Sequence, residues 1–185
     1  GQVGIATGSP GQQLHVNKDT GTSAILVTSP TAPQIRFNPE AGDGTDADRT
    51  ILGQSTGTSQ FTTGSASGDT ILRGTSTGNL IFGIGTGEKV RIDSSGRVLI
   101  GTTTEGEASS DDLTIATTGH TGITIRSGTT SEGNIFFSDA TSGTAEYRGI
   151  VRYDHNADAI VIKTANNTAL TLSNTQNATF AGIVT

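Results

Sequence analysis

Two stretches of this chain, far apart, spell nearly the same phrase. Gly1-Gln2-Val3-Gly4-Ile5-Ala6-Thr7 lies over Gly96-Arg97-Val98-Leu99-Ile100-Gly101-Thr102. An internal repeat constrains a fold more than any local signal, because each copy must build the same unit. The match continues through Leu14-His15-Val16 against Leu113-Thr114-Ile115 and Ala24–Ser29 against Gly122–Ser127. It ends with Gln34–Asn38 against Asn134–Ser138. Val90, Ile92, Val98 and Ile100 also share their spacing with Leu170, Leu172, Ala178 and Phe180. The expected organisation is two copies of one β-module, 1–97 and 98–185. The first carries an insertion of about 20 residues within 53–77, since Ile35 and Val90 are 55 apart and Ile135 and Leu170 only 35. The chain starts and stops inside its own repeat and is expected to be a fragment of a longer protein.

The repeated unit reads as strands. Leu, Ile, Val and Phe total 40 of 185 residues, close to the level at which chains fail to fold, against 33 Thr and 26 Gly. What apolar content there is alternates with polar residues, as in Leu113-Thr114-Ile115 and Ile123-Thr124-Ile125, which is the period of a half-buried strand. Strands are predicted at 3–6, 13–17, 24–28, 34–37, 50–53, 70–73, 79–84, 88–93, 97–101 and 112–116 in the first half. Further strands are predicted at 122–126, 134–138, 147–153, 159–163, 168–173 and 177–184. Val90–Ile92 and Val98–Ile100 flank "DSSGR" as a hairpin with a five-residue loop. "EGEASSDD" at 105–112 lacks apolar periodicity and reads as a loop. The fold class is all-β.

Each strand offers only two or three apolar side chains. One module burying them alone barely offsets the conformational entropy of its ordering. Several chains sharing one core, and covering each other's strand edges, resolve that shortage. The expectation is a parallel homotrimer, with Val98, Ile100, Leu113, Ile115, Ile123, Ile125 and Ile135 buried. Their counterparts Val3, Ile5, Leu14, Val16 and Ile35 are expected to be buried too.

"VRIDSSGRVLIGTTTEGEASSDDLTIA", "GITIRSG", "GNIFFSDATSG", "ALTLSNTQNATFAG" and "VGIATGSPGQQLHV" resemble modules of tailed-bacteriophage tail fibres, particularly of phages infecting cyanobacteria and other marine bacteria. The resemblance covers most of the chain outside 53–77. It implies an elongated homotrimeric shaft of short-strand modules, either a β-prism or an intertwined triple-stranded β shaft, located in the virion. It also implies other virion tail proteins as partners and a host-surface glycan or protein as what the fibre meets. The self-cleaving chaperone domain that follows such modules in relatives has no counterpart here.

Function classes narrow accordingly. No cysteine is present, so disulfides and thiolate metal sites are excluded together. Eleven scattered Lys and Arg in a chain of net charge −6 make no basic stripe for nucleic acid. Apolar runs reach only four residues, too short for membrane insertion as a helix. No cofactor is expected, and no catalytic residue: the carboxylates sit in Gly/Ser/Thr loops and the three His are isolated. Asp43, Asp46 and Asp48 are closely spaced and form a weak cation candidate without EF-hand spacing. Tyr147 and Tyr153, with Arg152, are weak candidates for receptor contact. At strand spacing Tyr147, Gly149, Val151 and Tyr153 share a face, which fits either a glycan-stacking surface or cross-strand packing. Phe136 and Phe137 are adjacent, so one is expected in the core and the other at a subunit contact. The leading expectation is a structural tail-fibre segment that positions or contributes to host attachment. The alternatives are an extracellular β-solenoid adhesin or ice-binding protein, and a polysaccharide depolymerase.

Overall fold

The structure, a computed structural model, describes residues 3–5, 14–16, 29–37 and 50–182. Nearly everything regular in it is β-strand. The strands are β1 (Val3–Ile5), β2 (Leu14–Val16), β3 (Gln34–Phe37), β4 (Thr50–Gln54), β5 (Thr70–Arg73), β6 (Leu80–Ile84) and β7 (Gly87–Ile92). There follow β8 (Val98–Ile100), β9 (Leu113–Ile115), β10 (Glu132–Phe137), β11 (Gly149–Asp154), β12 (Ala159–Thr164), β13 (Asn167–Leu172) and β14 (Ala178–Phe180). The sheets are β1-β2, β3-β4-β5, β6-β7-β8-β9 and β10-β11-β12-β13-β14, so every strand pairs only with its neighbours in sequence. The chain divides into two compact units, Gly1–Thr121 and Gly122–Thr185, the second holding the five-stranded sheet. The repeat boundary at 97/98 falls inside the four-stranded sheet, where β7 and β8 pair across the predicted turn.

The pairing registers repeat. Val90 faces Ile100 and Ile92 faces Val98; eighty residues on, Leu170 faces Phe180 and Leu172 faces Ala178. The offset of eighty holds for the preceding pair of strands, irregularity included: the register slips after Phe82 in β6 and after Ile162 in β12. Ile35 and Leu52 pair as Ile135 and Val151 do. Val98–Leu113 and Ile100–Ile115 form a parallel pair, and so do Val3–Leu14 and Ile5–Val16. The insertion has a simple form. In the second unit β12 pairs with both β11 and β13, whereas in the first unit β5 pairs with β4 and a separate strand, β6, pairs with β7. The extra residues lie in the 55–69 loop and between β5 and β6. That loop closes on itself: Ser55 and Ser65 are buried, the Ser55 hydroxyl donates to the Gly57 carbonyl at 2.7 Å, and Ser65 to Gln60 at 2.7 Å.

Several expectations are corrected. Residues 122–126 are not a strand: they pair with nothing among the described residues, and Ile123 is 70% exposed. Tyr147 lies not on the strand but at the end of a 3-10 helix, Gly143–Tyr147, because β11 begins only at Gly149. The predicted burial fails in the single chain: Ile35, Leu113, Ile123, Ile125 and Ile135 are exposed, and Val98, Ile100 and Ile115 are half-buried. Phe136 and Phe137 are both exposed, so neither is core. The side chains of Val3, Ile5, Leu14 and Val16, and the strand predicted at 24–28, lie outside the described residues.

Turns carry the repeat as well. In the β7–β8 turn the Asp93 carboxylate accepts the Ser95 and Arg97 N–H groups at 2.9 and 3.0 Å, and Gly96 has φ +88°. Gln176 occupies the matching position of the β13–β14 turn with φ +65°. A Cβ on Gly96 would meet nothing within 4 Å, so the left-handed backbone alone selects glycine there. Gly96→Val is expected to destabilise by about 1–2 kcal/mol, whereas Gln176→Gly is expected to stabilise by about 0.5–1 kcal/mol as relief of the same strain outweighs added chain entropy. Chemical denaturation of the two variants against the parent measures both.

Candidate functional site

In a strand, side chains alternate between faces, so residues directly paired across a sheet share one face. In the five-stranded sheet one face carries the rows Ile135–Val151–Ile162–Leu170–Phe180 and Gly133–Tyr153–Ile160–Leu172–Ala178. Phe137 lies on the same face over Gly149, whose Cβ position is 3.2 Å from the phenyl ring. That face holds no charged side chain. Even so, most of its large residues are exposed, from 37% at Leu172 to 61% at Phe137. The four-stranded sheet repeats the arrangement with the rows Leu80–Ile92–Val98–Leu113 and Phe82–Val90–Ile100–Ile115. The three-stranded sheet has the exposed row Ile35–Leu52–Leu72. Contiguous apolar surface on this scale marks an interaction site in a folded protein.

The opposite faces are built differently. They hold the few buried aliphatic side chains, each of three paired directly with an arginine: Ile51 with Arg73, Leu99 with Arg91, Val161 with Arg152. The arginine heads are tethered. Arg73 Nη1 donates to the Phe61 carbonyl, Arg91 binds Glu88 through two bonds of 2.9 and 2.8 Å, and Arg152 Nη1 meets Glu132 at 2.7 Å. Tethered this way, an arginine stem covers its cross-strand neighbour while the head stays polar. A sequence reading picks Val98 and Ile100 for burial and passes over Leu99 between them, because nothing in the sequence says which face the arginines take.

On the apolar face of the second unit a shallow cavity of about 290 Å³ is lined by Ile125, Ile135, Val151, Tyr153, His155 and Ile160. A neighbouring one of about 350 Å³ shares Tyr153 and Ile160 and adds Asp158 and Leu172. Tyr153 stands between them. Its ring meets His155 edge-on at 4.8 Å, and its hydroxyl donates to Asp158, which holds the phenol above its usual range. Arg152 is on the opposite strand face by register, though it too lines the first cavity beside Tyr153, and Tyr147 ends the 3-10 helix. Asp43, Asp46 and Asp48 lie outside the described residues. Among the described residues no three His, Asp or Glu side chains come together to hold a metal ion.

The described carboxylates that stand out are bound by nearby arginines or by their own turns. Asp93 is held below the usual carboxylate range chiefly by the Arg97 backbone N–H, then by the Arg97 guanidinium at 2.7 Å. Arg97 also reaches Asp111 at 2.9 Å and Glu105 at 3.8 Å, tying the 105–112 loop to the β7–β8 turn. The Arg91 guanidinium lowers Glu88, and the Ser109 hydroxyl and backbone N–H lower Glu107. No protein-family model matches the chain, and no curated protein matches it.

These three carboxyls set an acid limit. Each has a folded-state pKa below its unfolded value, so the stability it adds is complete above the ordinary carboxylate range of about 4 and is lost as pH falls through the lowered values. The melting temperature is expected to stay level from neutrality to about pH 5 and to fall below about pH 4. Asp93→Asn, which keeps an acceptor for the turn but loses the charge, is expected to lower the neutral-pH melting temperature and shrink the acid decline. A pH series of thermal melts of both proteins checks this.

Proposed function

We propose that this chain is a structural segment of a homotrimeric tail fibre of a tailed bacteriophage, holding a host-attachment region at a distance from the virion. The observation that carries the reading is the uncovered apolar face that recurs on three sheets, with the charged strand positions on the opposite faces. Three copies turning these faces toward a common axis supply one another with the core that each lacks. Burying the exposed half of a Leu or Ile contributes on the order of 1 kcal/mol per side chain, and the apolar rows described above hold eight exposed Leu and Ile residues.

Among the described residues the strands pair within one chain, which is compatible with a β-prism where each subunit contributes whole sheets. An intertwined shaft would draw adjacent strands from different chains. Among the described residues eight of the ten strand pairings are antiparallel, which speaks against the parallel coils of a solenoid adhesin or ice-binding protein. A depolymerase reading finds no support in the turn-bound carboxylates. The phage assignment rests on the repeated phrases noted above. Under this reading the partners are two further copies of the chain and other virion tail proteins, with a host-surface glycan or protein beyond them.

Solution mass tests the reading. Multi-angle light scattering of the purified chain is expected to give three times its 18.8 kDa mass, and a well-folded monomer at micromolar concentration overturns it. Ile92→Asp and Leu172→Asp place a charge on the apolar face and are expected to dissociate the trimer. Ile81→Asp, equally exposed but on the opposite face of its sheet, is expected to leave the mass unchanged.

A further inference from the structure

Among the described residues, the last strand of the five-stranded sheet has no strand along its outer edge, at a position that is closed elsewhere in the same chain. β14 corresponds to β8, eighty residues earlier, in pairing and in turn hydrogen bonds. The Gly101 N–H donates to the Lys89 carbonyl as the Ala181 N–H donates to Ala169, and the Asp93 N–H donates to Arg97 as Ser173 donates to Asn177. These bonds set the phase of both ladders. Leu99 and Thr179 exchange bonds with the inner neighbour, so Val98 and Ile100 turn their backbone groups outward, and so do Ala178 and Phe180.

In the first unit those outward groups are used. β9 lies parallel to β8, with Val98 N–H donating to the Asp112 carbonyl at 2.8 Å and Ala116 N–H to the Ile100 carbonyl at 3.0 Å. β1, whose sequence lies over that of β8, takes β2 in the same parallel register. The strands added both times read Leu-x-Ile or Leu-x-Val. On β14 the equivalent groups have no strand beside them among the described residues, and Phe180 is 55% exposed.

We propose that the outer edge of β14 is an acceptor for a parallel strand of the form Leu-x-Ile or Leu-x-Val. The side chains decide the form. By the register of β8 and β9, the incoming Leu falls beside Ala178 and extends the row Ile160–Leu172–Ala178. The β-branched residue falls beside Phe180 and extends the row Ile162–Leu170–Phe180. Both land on the apolar face, and the polar middle residue lands on the other. A strand of the opposite phase would put its apolar residues among Thr171 and Thr179. Main-chain bonds supply the attachment and the two alternate side chains the selectivity, as in strand addition generally. Ala181 stands where β8 is followed by Gly101; β1 is followed by Ala6 and pairs in parallel nonetheless. The proposal rests on the ladder alone and not on the assembly of three chains.

The test uses the chain's own donor strand. Residues 181–185 are replaced by a second copy of residues 101–117, which follow β8 in the first unit, so that the strand is supplied at high effective concentration. Hydrogen exchange of the Ala178 and Phe180 amides is followed by NMR or by fragment mass spectrometry. The expected result is slowing of at least tenfold relative to the parent. An extension carrying Thr114→Pro in the appended copy lacks the donor that meets the Ala178 carbonyl and is expected to exchange like the parent. Equal exchange in parent and extended chains overturns the proposal, as does equal protection with and without the proline. Light scattering on the same samples reports the oligomeric state separately, so failure of strand addition and failure of trimer formation are distinct outcomes.

Discussion

The period of two along a strand, locked to the cross-strand register, is the constraint on which this architecture depends. Short strands of two or three apolar residues can make a continuous apolar surface only if their odd positions all fall in line. The sequential pairing does this, antiparallel from β6 to β8 and parallel at β9, carrying Leu80, Ile92, Val98 and Leu113 into one row; the antiparallel β12–β14 carries Ile162, Leu170 and Phe180 into another. A slip of one residue in any strand would send its apolar pair among the arginines and break the row. The turns hold this register. The Asp93 turn with its left-handed Gly96, and its counterpart at Ser173–Asn177, fix where β8 and β14 begin.

Concentrating the apolar residues on one face leaves little for a core inside the chain. The side chains that one chain buries, Ile51, Leu99, Ile150, Ala159 and Val161, are isolated aliphatic positions on the other face. Three of them are sheltered by arginine stems whose heads are tied to a carbonyl or a carboxylate. Such shelter is thin, and the charged pairs are partly solvated, where ion pairs contribute little. The stability of the fold is therefore expected to come mainly from covering the apolar face, which couples folding to association.

Much of this was legible in the residues. Alternation located β5 at 70–73 and β3 at 34–37 to the residue, and the shared spacing of Val90–Ile100 and Leu170–Phe180 anticipated two matching hairpins. Three things were not legible. Ile123-Thr124-Ile125 has the strand pattern but pairs with nothing among the described residues, and pairing is not written in a local pattern. Tyr147 seemed to belong to the strand of Tyr153 because periodicity does not mark where Gly143–Tyr147 coils into a 3-10 turn. Burial was misassigned because Val98 and Ile100 carry the pattern of a core, yet both are only half-buried, while Leu99 between them is the residue enclosed.

The division of labour between β5 and β6 has a consequence for how such a chain can change length. Where β12 binds both neighbours, the sheet is continuous; where β5 and β6 share the task, the two ladders end independently, each keeping its own row. The joint between them is thus a place where residues can be gained or lost without moving any apolar side chain from its row. The 55–69 loop, closed by its own serines, shows the same tolerance at the preceding turn. At both points, added residues lengthen a connection between strands and leave the cross-strand pairs on either side unchanged.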